Sequence, residues 1–508
     1  MKISEGGKMK RRKFLKILII GGSGVILNKV LACKSSSEPS GERALPPPQV
    51  NTFSSEIVLN TRLSYHSGYS GTLSDQILAN VLWATAKAPL IGASRIIYVA
   101  LQDNVYQYDP DTHEISIHEP GNHLSESNLA FEVGIASDLA EDAGSALHYG
   151  HLAATSFWTS TSNQPTCCPK ESAAQNANST WNPASSIHCV NCYGHRGSVS
   201  GITDEIVAQS SDASLPNPST DGIVLLENTL THLNNGNQFL DTELSLNQIS
   251  QIVWASYGCT PHLGSYNRAG LTVASAAANY YLTGRVYIVR PEGVERYHNR
   301  LPSGQLTTRD HRIERVSDGD HRPQLRAAIQ RLPETAPIYY VFCLEQIDRW
   351  GLIEVGFCGT SALLQVSSID LQGFLTGDFS TTEQTAIINA LSIPPNDLPV
   401  LIFSAGHADN SINEKSGSDL KYHEANPNPF TDKTRIRYGL NSPTDVKLTI
   451  YDVTGRHIEV LVDQNQSPGN HSVIWNGTDA EGRKLPTGSY YYILEIGTKE
   501  YKRKVIKA

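Results

Sequence analysis

Two stretches of the chain repeat one pattern of apolar and polar positions. Leu73-Ser74 followed by Trp83-Ala84 recurs 171 positions later as Leu244-Ser245 followed by Trp254-Ala255. The apolar residues between these pairs recur at the spacing of one face of an amphipathic helix. Each stretch therefore predicts a buried helix that begins after a serine.

Two further anchors follow in the same order. Arg95–Val99 matches Arg285–Val289 as an apolar strand, and Asp142-Ala143-Gly144 matches Glu354-Val355-Gly356 at the start of a helix. Three ordered matches predict a tandem duplication, each lobe reading helix, strand, hairpin and helix, an α+β unit. The interval from Trp to Arg is 12 positions in lobe one and 31 in lobe two, so lobe one lacks about 19 residues there.

The last part of the chain alternates apolar and polar residues in short runs separated by turn residues, which predicts a β-sandwich. The six predicted strands are Thr434–Tyr438, Val446–Tyr451, Glu459–Val462, His471–Trp475, Tyr490–Ile496 and Lys499–Lys507. The motifs Ile450–Arg456, Trp475-Asn476-Gly477 and Gly488–Tyr492 resemble the Ig-like C-terminal sorting module of type IX secretion substrates. They are also similar to the Ig-like part of flagellar hook-cap proteins. A generic surface-adhesion sandwich is the alternative.

The N-terminus has the features of an export signal. Arg11–Lys16 resembles the twin-arginine motif, and the apolar run Ile17–Leu27 is too short to span a bilayer. Val30-Leu31-Ala32-Cys33 resembles a lipobox, which implies lipidation at Cys33. A plain secretory signal or a membrane anchor is the alternative. We therefore expect an exported protein, either a periplasm-facing membrane lipoprotein or a cell-surface protein, attached only through lipid or the sorting tail.

Composition supports a soluble, exported protein. The apolar fraction is 39%, mean hydropathy is -0.28, and charged residues make up only 18%. The net charge of -9 excludes a basic nucleic-acid-binding face. The predicted domains are a signal at 1–33, a flexible linker at 34–53, lobe one at 54–158, a Cys-containing insertion at 159–221, lobe two at 222–408, a linker at 409–425 and an Ig-like domain at 426–508.

Lobe two contains a segment rich in small residues, Thr272–Tyr280, between its first helix and the strand Val286–Val289. Together with Glu354-Val355-Gly356, Leu363-Leu364-Gln365 and Gly373–Phe379, this segment resembles the nitroreductase superfamily, nearest its SagB-type peptide dehydrogenases. The resemblance implies two nitroreductase-like lobes that form a pseudo-dimer, so that one chain acts as a monomer. It also implies FMN as cofactor, with the small residues packed against the flavin ring.

The resemblance assigns cofactor-binding roles to seven residues: Thr272, Ser275, Ala276, Ala277, Asn279, His232 and Gly377. One feature departs from the family, whose members clamp the flavin phosphate with arginines. The corresponding stretch, Thr231–Phe239, contains no Arg, and His232 is its only cationic candidate. Ala277 also stands where the family has Gly. No catalytic residue can be named from the sequence.

Four cysteines cluster within 159–221: Cys167, Cys168, Cys189 and Cys192. Two disulfides that close a loop outside the cytoplasm are one interpretation. A metal site is the other, with Cys189 and Cys192 as a chelating pair completed by Cys167, Cys168 or a histidine. Free thiols are the third.

Two hypotheses for function follow. The first is an exported FMN-dependent dehydrogenase that acts on a small molecule or peptide and passes electrons to a non-nicotinamide acceptor. Its export partners would be the twin-arginine machinery and a type IX-like secretion system. The second is a flavin-free degenerate nitroreductase fold that serves as a surface-displayed binding or structural protein, which the missing arginines favour.

Overall fold

The structure is a computed structural model. It describes the following residues: 42–64, 68–69, 72–157, 164–196, 213–263, 269–275, 279–300, 309–409, 420–426, 430–440, 443–453, 455–467, 469–496 and 499–507. The predicted signal at 1–33, including Cys33, lies outside these ranges. Among the described residues, none of the helices combines the length and hydropathy of a transmembrane span.

Lobe one is built on a seven-stranded sheet in the order β1-β4-β3-β2-β5-β7-β6, with every neighbouring pair antiparallel. Its strands are β1 (Glu42–Ala44), β2 (Arg95–Ala100), β3 (Asn104–Asp109), β4 (Glu114–Pro120), β5 (Phe131–Ser137), β6 (Gln164–Lys170) and β7 (Ile187–Arg196). Its helices are α1 (Ser55–Thr61), α2 (Asp75–Lys87), α3 (Ala140–Thr155) and α4 (Glu171–Thr180).

Lobe two repeats this arrangement with a second antiparallel sheet in the order β8-β13-β12-β11-β14-β16-β15. Its strands are β8 (Ala213–Ser214), β11 (Val286–Arg290), β12 (Gly293–His298), β13 (Arg312–Asp318), β14 (Ile338–Leu344), β15 (Gln372–Gly377) and β16 (Leu398–Gly406). A separate hairpin pairs β9 (Cys259–Leu263) with β10 (Ala269–Leu271). Its helices are α5 (Leu226–Thr231), α6 (Leu246–Tyr257), α7 (Arg322–Ala328), α8 (Arg349–Ser368) and α9 (Thr381–Leu391).

The two sheets therefore correspond strand for strand, which confirms the predicted fold class of tandem α+β lobes. The serines of the repeated pairs cap the matching helices: the Ser74 side chain accepts from Ile77 N, and Ser245 forms a capping box with Gln248. The interval that lobe one lacks is the β9–β10 hairpin and the segment after it. Lobe two thus carries this hairpin and segment in addition to the shared elements, as well as α7, which has no helical counterpart between β4 and β5 of lobe one.

One hydrophobic core lies between the two sheets and contains residues of both lobes. At its centre α3 crosses α8, and the two helices approach so closely that each has a glycine at the crossing. A Cβ at Gly144 would lie 2.3 Å from the Ile353 carbonyl oxygen, and one at Gly356 would lie 2.0 Å from the Glu141 carbonyl oxygen. Backbone contact of this kind fixes the two lobes against each other.

The predicted boundaries of lobe one need correction at both ends. β1 lies inside the predicted flexible linker at 34–53, where it pairs with β4, and Gln49 exchanges hydrogen bonds with Asn80 on α2. The predicted insertion at 159–221 contains β6, α4 and β7, which complete the first sheet. The boundary differs from the prediction because α4 buries only alanines, Ala173, Ala174 and Ala177, so this part of the chain contains few large apolar residues that would mark it as folded.

Residues 420–507 form the predicted C-terminal β-rich domain, with its own hydrophobic core around Trp475, Ile436 and Leu448. It comprises a three-stranded sheet, β17-β18-β21, and a four-stranded sheet, β20-β19-β22-β23. Its strands are β17 (Leu420–Asn426), β18 (Thr434–Leu440), β19 (Thr444–Asp452), β20 (His457–Gln466), β21 (Gly469–Trp475), β22 (Gly488–Ile496) and β23 (Lys499–Lys507). All six predicted strands are present; β17 falls within the predicted linker at 409–425 and extends the domain.

Candidate functional site

The segment that follows β10, Thr272–Tyr280, belongs to a stretch of lobe two that has no counterpart in lobe one. Thr272 is fully buried there; its amide donates to the Gly258 carbonyl at 3.0 Å, and its hydroxyl donates to the Trp254 carbonyl at 3.1 Å. The Ser275 hydroxyl accepts from the Tyr280 amide at 2.8 Å, and Tyr280 adopts a positive φ of 55°. Hydrogen bonds at both ends therefore set the path of this segment.

Arg62, at the end of α1 in lobe one, holds the same segment from across the lobe boundary. Its guanidinium donates to the carbonyl oxygens of Leu271 at 2.8 Å, Thr272 at 3.1 Å and Val273 at 2.7 Å. A further bond from Nη1 reaches Ser64 Oγ at 2.8 Å. The side chain is only 4% exposed, so these bonds are made away from bulk water, where they are strongest.

Beneath the segment lies a buried carboxyl group, that of Glu354 on α8. Its Oε1 accepts from the Tyr257 hydroxyl at 2.6 Å, and the same hydroxyl accepts from the Leu282 amide at 3.2 Å. Burial raises the pKa of Glu354 to about 7, and hydrogen bonds from Ser275 and Tyr257 only partly offset that rise. Ser275, a residue assigned from the sequence, thus lies beside a carboxyl group that changes charge near neutral pH.

The pseudo-equivalent carboxyl of lobe one, Asp142 on α3, has a different environment. It forms a buried two-point ion pair with Arg95, with Nε–Oδ2 at 2.9 Å and Nη2–Oδ1 at 2.5 Å. Asp142 also accepts from the Ile91 amide and the Ser137 hydroxyl. The repeat therefore retains a carboxyl group at this position of the helix, but it is paired with the matching arginine only in lobe one. Arg285, the counterpart of Arg95 in lobe two, pairs instead with Glu345 and Asp397.

The other sequence-assigned residues are dispersed. Asn279 is exposed, and its amide donates to the Tyr281 hydroxyl at 3.0 Å. His232 is exposed at the end of α5, where its ring nitrogen lies 3.1 Å from the Asn228 carbonyl. Gly377 ends β15, and its carbonyl accepts from Arg331. Among the described residues, neither His232 nor Gly377 forms a hydrogen bond with the segment, while Ala276 and Ala277 lie outside the described residues.

Two of the central side chains were not assigned from the sequence, Arg62 and Glu354. Arg62 could have been found from the repeat, because it follows α1 as His232 follows α5. Each of these two helices packs against the opposite lobe. Helix α1 of lobe one contacts β9 of lobe two, and α5 of lobe two contacts α2 of lobe one. Arg62 therefore lies at the segment of the opposite lobe. The sequence offers Arg62 only as a poor match to the family's phosphate clamp, and in the structure it bonds to backbone carbonyls instead.

The cysteine cluster is not arranged as the metal interpretation requires. Cys189 and Cys192 are three residues apart on β7, so their side chains point to opposite faces of the sheet, the first into the shared core and the second into the outer core of lobe one. They cannot chelate one ion as a pair. Within the described ranges, no three His, Cys, Asp or Glu side chains converge on a metal position. The disulfide interpretation also involves Cys167 and Cys168, whose side chains lie outside the described residues.

Comparison with known proteins adds one domain assignment and several fold likenesses. A family model, the FlgD Ig-like domain, matches residues 426–499, which confirms an Ig-like domain at the C-terminus. No curated protein matches the chain.

Among solved structures, a protein assigned as a nitroreductase from Anabaena variabilis is 11% identical over 73% of this chain and 94% of its own, with a TM-score of 0.46. One from Ralstonia eutropha is 22% identical over 41% and 98%, with a TM-score of 0.31. One from Desulfovibrio desulfuricans, solved in complex with FMN, is 12% identical over 36% and 86%, with a TM-score of 0.25.

Proposed function

We propose that this chain is an exported FMN-dependent oxidoreductase with one flavin site, formed where lobe one closes on the segment after β10. The observation that carries the proposal is the inter-lobe clamp: Arg62 holds three consecutive carbonyls of a small-residue segment that only lobe two possesses. A segment fixed from both lobes can present its backbone to a flat ring without rearranging, which is what tight cofactor binding requires.

The described residues fit the ring part of FMN better than its phosphate. Ser275 is partly exposed and Asn279 is exposed, so both can meet the polar edge of a ring, whereas the Thr272 side chain is buried and supports the backbone. Arg62 already donates to carbonyl oxygens, and the exposed ring of His232 at the end of α5 lies against the Asn228 carbonyl. Ser275 and Asn279 are therefore the side chains we propose to contact the flavin, with His232 and Gly377 assigned by resemblance alone.

When bound, FMN would accept two electrons from the substrate, a small molecule or peptide. The protein would hold and orient the ring, exclude water between the lobes, and keep a proton at the Glu354 carboxyl. We further propose a non-nicotinamide electron acceptor, because NAD(P)H is a cytoplasmic reductant and the chain carries features of export.

Flavin binding is tested by the colour of the purified protein and by titration with FMN. We expect a yellow protein that releases FMN on denaturation, or a colourless one that binds added FMN with a shift in the visible flavin spectrum. Ser275→Arg should abolish binding, because a long cationic side chain would have to be buried unpaired against the ring at a cost of several kcal/mol.

Ser94→Arg is the matched control, since Ser94 is exposed in the equivalent loop of lobe one, which lacks the segment. It should bind FMN like the unaltered chain. A protein that is colourless, folded and indifferent to FMN would eliminate the proposal. It would favour the second candidate, a flavin-free binding or structural protein, which the absence of arginine from Thr231–Phe239 supports.

We propose that the twin-arginine-like signal at 1–33 directs export, with lipidation at Cys33 and the Ig-like domain serving as a type IX-like sorting module. Changing Arg11 and Arg12 together to Lys should leave the precursor in the cytoplasm, because twin-arginine recognition requires the guanidinium pair. Cell fractionation with an antibody to the lobes measures this outcome. Normal export of the double variant would refute the twin-arginine route while leaving the flavin proposal untouched.

A further inference from the structure

The carboxyl group of Glu354 differs from its repeat partner in one respect that bears on the candidate site. Asp142 is balanced by Arg95, whereas among the described residues the Oε1 atom of Glu354 is met by a hydroxyl, that of Tyr257, and no described cation forms an ion pair with it. A fully buried carboxylate without a counter-charge is costly, and taking up a proton removes that cost. Lobe one therefore has a buried ion pair at this position, between Asp142 and Arg95, whereas lobe two has the buried carboxyl group of Glu354, which can hold a proton.

The groups around this carboxyl connect it directly to the segment. Tyr257 on α6 donates to Glu354 and accepts from the Leu282 amide. The Ser275 hydroxyl accepts from the Tyr280 amide and also lowers the pKa of the Glu354 carboxyl. Ionisation of Glu354 would therefore change the hydrogen bonds through which Ser275 and Tyr257 hold the amides of Tyr280 and Leu282.

Neighbouring titratable groups do not duplicate this behaviour. Burial raises the pKa of Tyr257 and of Cys358 on α8 well above their ordinary values, and the charge of Arg300 opposes the rise only at Tyr257. On α3, which packs against α8, burial and the charge of Arg62 hold the pKa of His148 well below its ordinary value. Tyr281, in the segment itself, also has its pKa raised by burial. None of these groups changes charge near neutral pH.

We infer that Glu354 is a proton-carrying positioning residue, whose ionisation loosens the hydrogen bonds that hold Ser275, Tyr280 and Leu282 and so regulates ligand binding at the site between the lobes. The regulatory part of this inference rests on the proposed flavin function; the proton on Glu354 and its effect on the segment do not. Because Glu354 acts through Ser275 and Tyr257, it need not touch the ligand. Binding of FMN should weaken as pH rises above neutrality.

The direct test is an infrared pH titration of the full chain and of Glu354→Gln, a neutral variant of nearly the same shape. The difference spectrum should show the C=O stretch of a protonated carboxyl that disappears with a midpoint near 7, where burial sets the pKa of Glu354. Hydrogen exchange of 272–282, expressed as protection against the unfolded rate, should fall over the same range in the unaltered chain and stay constant in Glu354→Gln.

Stability provides a second readout with a definite sign. Between the ordinary value of 4.5 and about 7 the folded protein holds a proton that the unfolded chain has lost, so the free energy of unfolding should fall as pH rises through this range. The difference between the unaltered chain and Glu354→Gln isolates this contribution. Asp142→Asn is the matched control: it should destabilise lobe one at about pH 5 and about pH 8.5 alike, because Arg95 remains charged at both.

The outcomes separate the two proposals. FMN binding without a titrating carboxyl, or equal pH profiles for the unaltered chain and Glu354→Gln, would overturn the inference and spare the flavin function. A titrating carboxyl with pH-dependent exchange, in a protein that binds no FMN at either pH, would support the proton on Glu354 and remove the flavin function.

Discussion

Replacing Gly356 with Ala should destabilise the two-lobe core by about 3 kcal/mol or more, the largest loss we expect from any single methyl group in the protein. The added Cβ would lie 2.0 Å from the Glu141 carbonyl oxygen and 2.9 Å from the Ser145 amide nitrogen, both backbone atoms of α3. Neither atom can rotate away, so α3 and α8 would have to separate and open the core between the sheets. Denaturant unfolding followed by tryptophan fluorescence measures the loss.

Gly359→Ala is the matched control on the same helix. Its Cβ would meet the methyl ends of Leu401 and Leu375, at 2.6 Å and 2.8 Å, and these side chains can change rotamer. Alanine also favours a helix over glycine by up to about 1 kcal/mol, so we expect a net change within about 1 kcal/mol. If Gly356→Ala unfolds at the same denaturant concentration as Gly359→Ala, the helices do not cross at the glycines as described.

The duplication was predictable because the repeated signals are short-range. A serine cap followed by an amphipathic face, as at Ser74 and Ser245, is encoded within one helix and survives divergence of the rest of the lobe. The Ig-like strands were equally visible, since alternation and turn residues repeat every few positions. Such local patterns predicted the fold class without knowledge of any contact between distant residues.

Segments whose place depends on a distant partner were not predictable. β7 contains two cysteines and an asparagine and resembles a metal loop in isolation, yet it is an interior strand between β5 and β6. β1 is three residues long and is recognisable only through its pairing with β4, about 70 residues away along the chain. In both, the polar sequence is tolerated because pairing, not local propensity, holds the strand.

The candidate site likewise contains residues that the local sequence predicted and residues whose roles depend on distant partners. Ser275 and Asn279 belong to a contiguous small-residue segment and were assigned from it, although their contact with FMN stays a prediction. Arg62 acts across 209 to 211 positions of sequence, and Glu354 was visible only as a repeat anchor with no partner. What made Glu354 notable is the absence of a counterpart to Arg95 beside it in the described structure, a property of packing that no linear pattern records.

Arg62→Ala should cost about 3 to 5 kcal/mol of stability and abolish FMN binding together. The change leaves the buried carbonyls of Leu271, Thr272 and Val273 without their donor, and each unsatisfied buried group costs about 1–3 kcal/mol. Because these carbonyls begin the segment that we propose contacts the ring, its path should be lost before the rest of lobe two unfolds. Unfolding curves and FMN titration of the same protein measure the two effects.

Two further variants show whether the losses in Arg62→Ala come from the inter-lobe hydrogen bonds. Arg62→Lys keeps the charge but not the planar fork, so it should restore stability only in part and bind FMN weakly. Arg331→Ala is the matched control, because Arg331 also donates to two consecutive carbonyls, those of Gly377 and Asp378, but with a side chain 44% exposed; it should cost less than about 1 kcal/mol. Should Arg62→Ala prove as mild as Arg331→Ala, the clamp between the lobes does not hold the segment, and the site that we build on it would have to lie elsewhere.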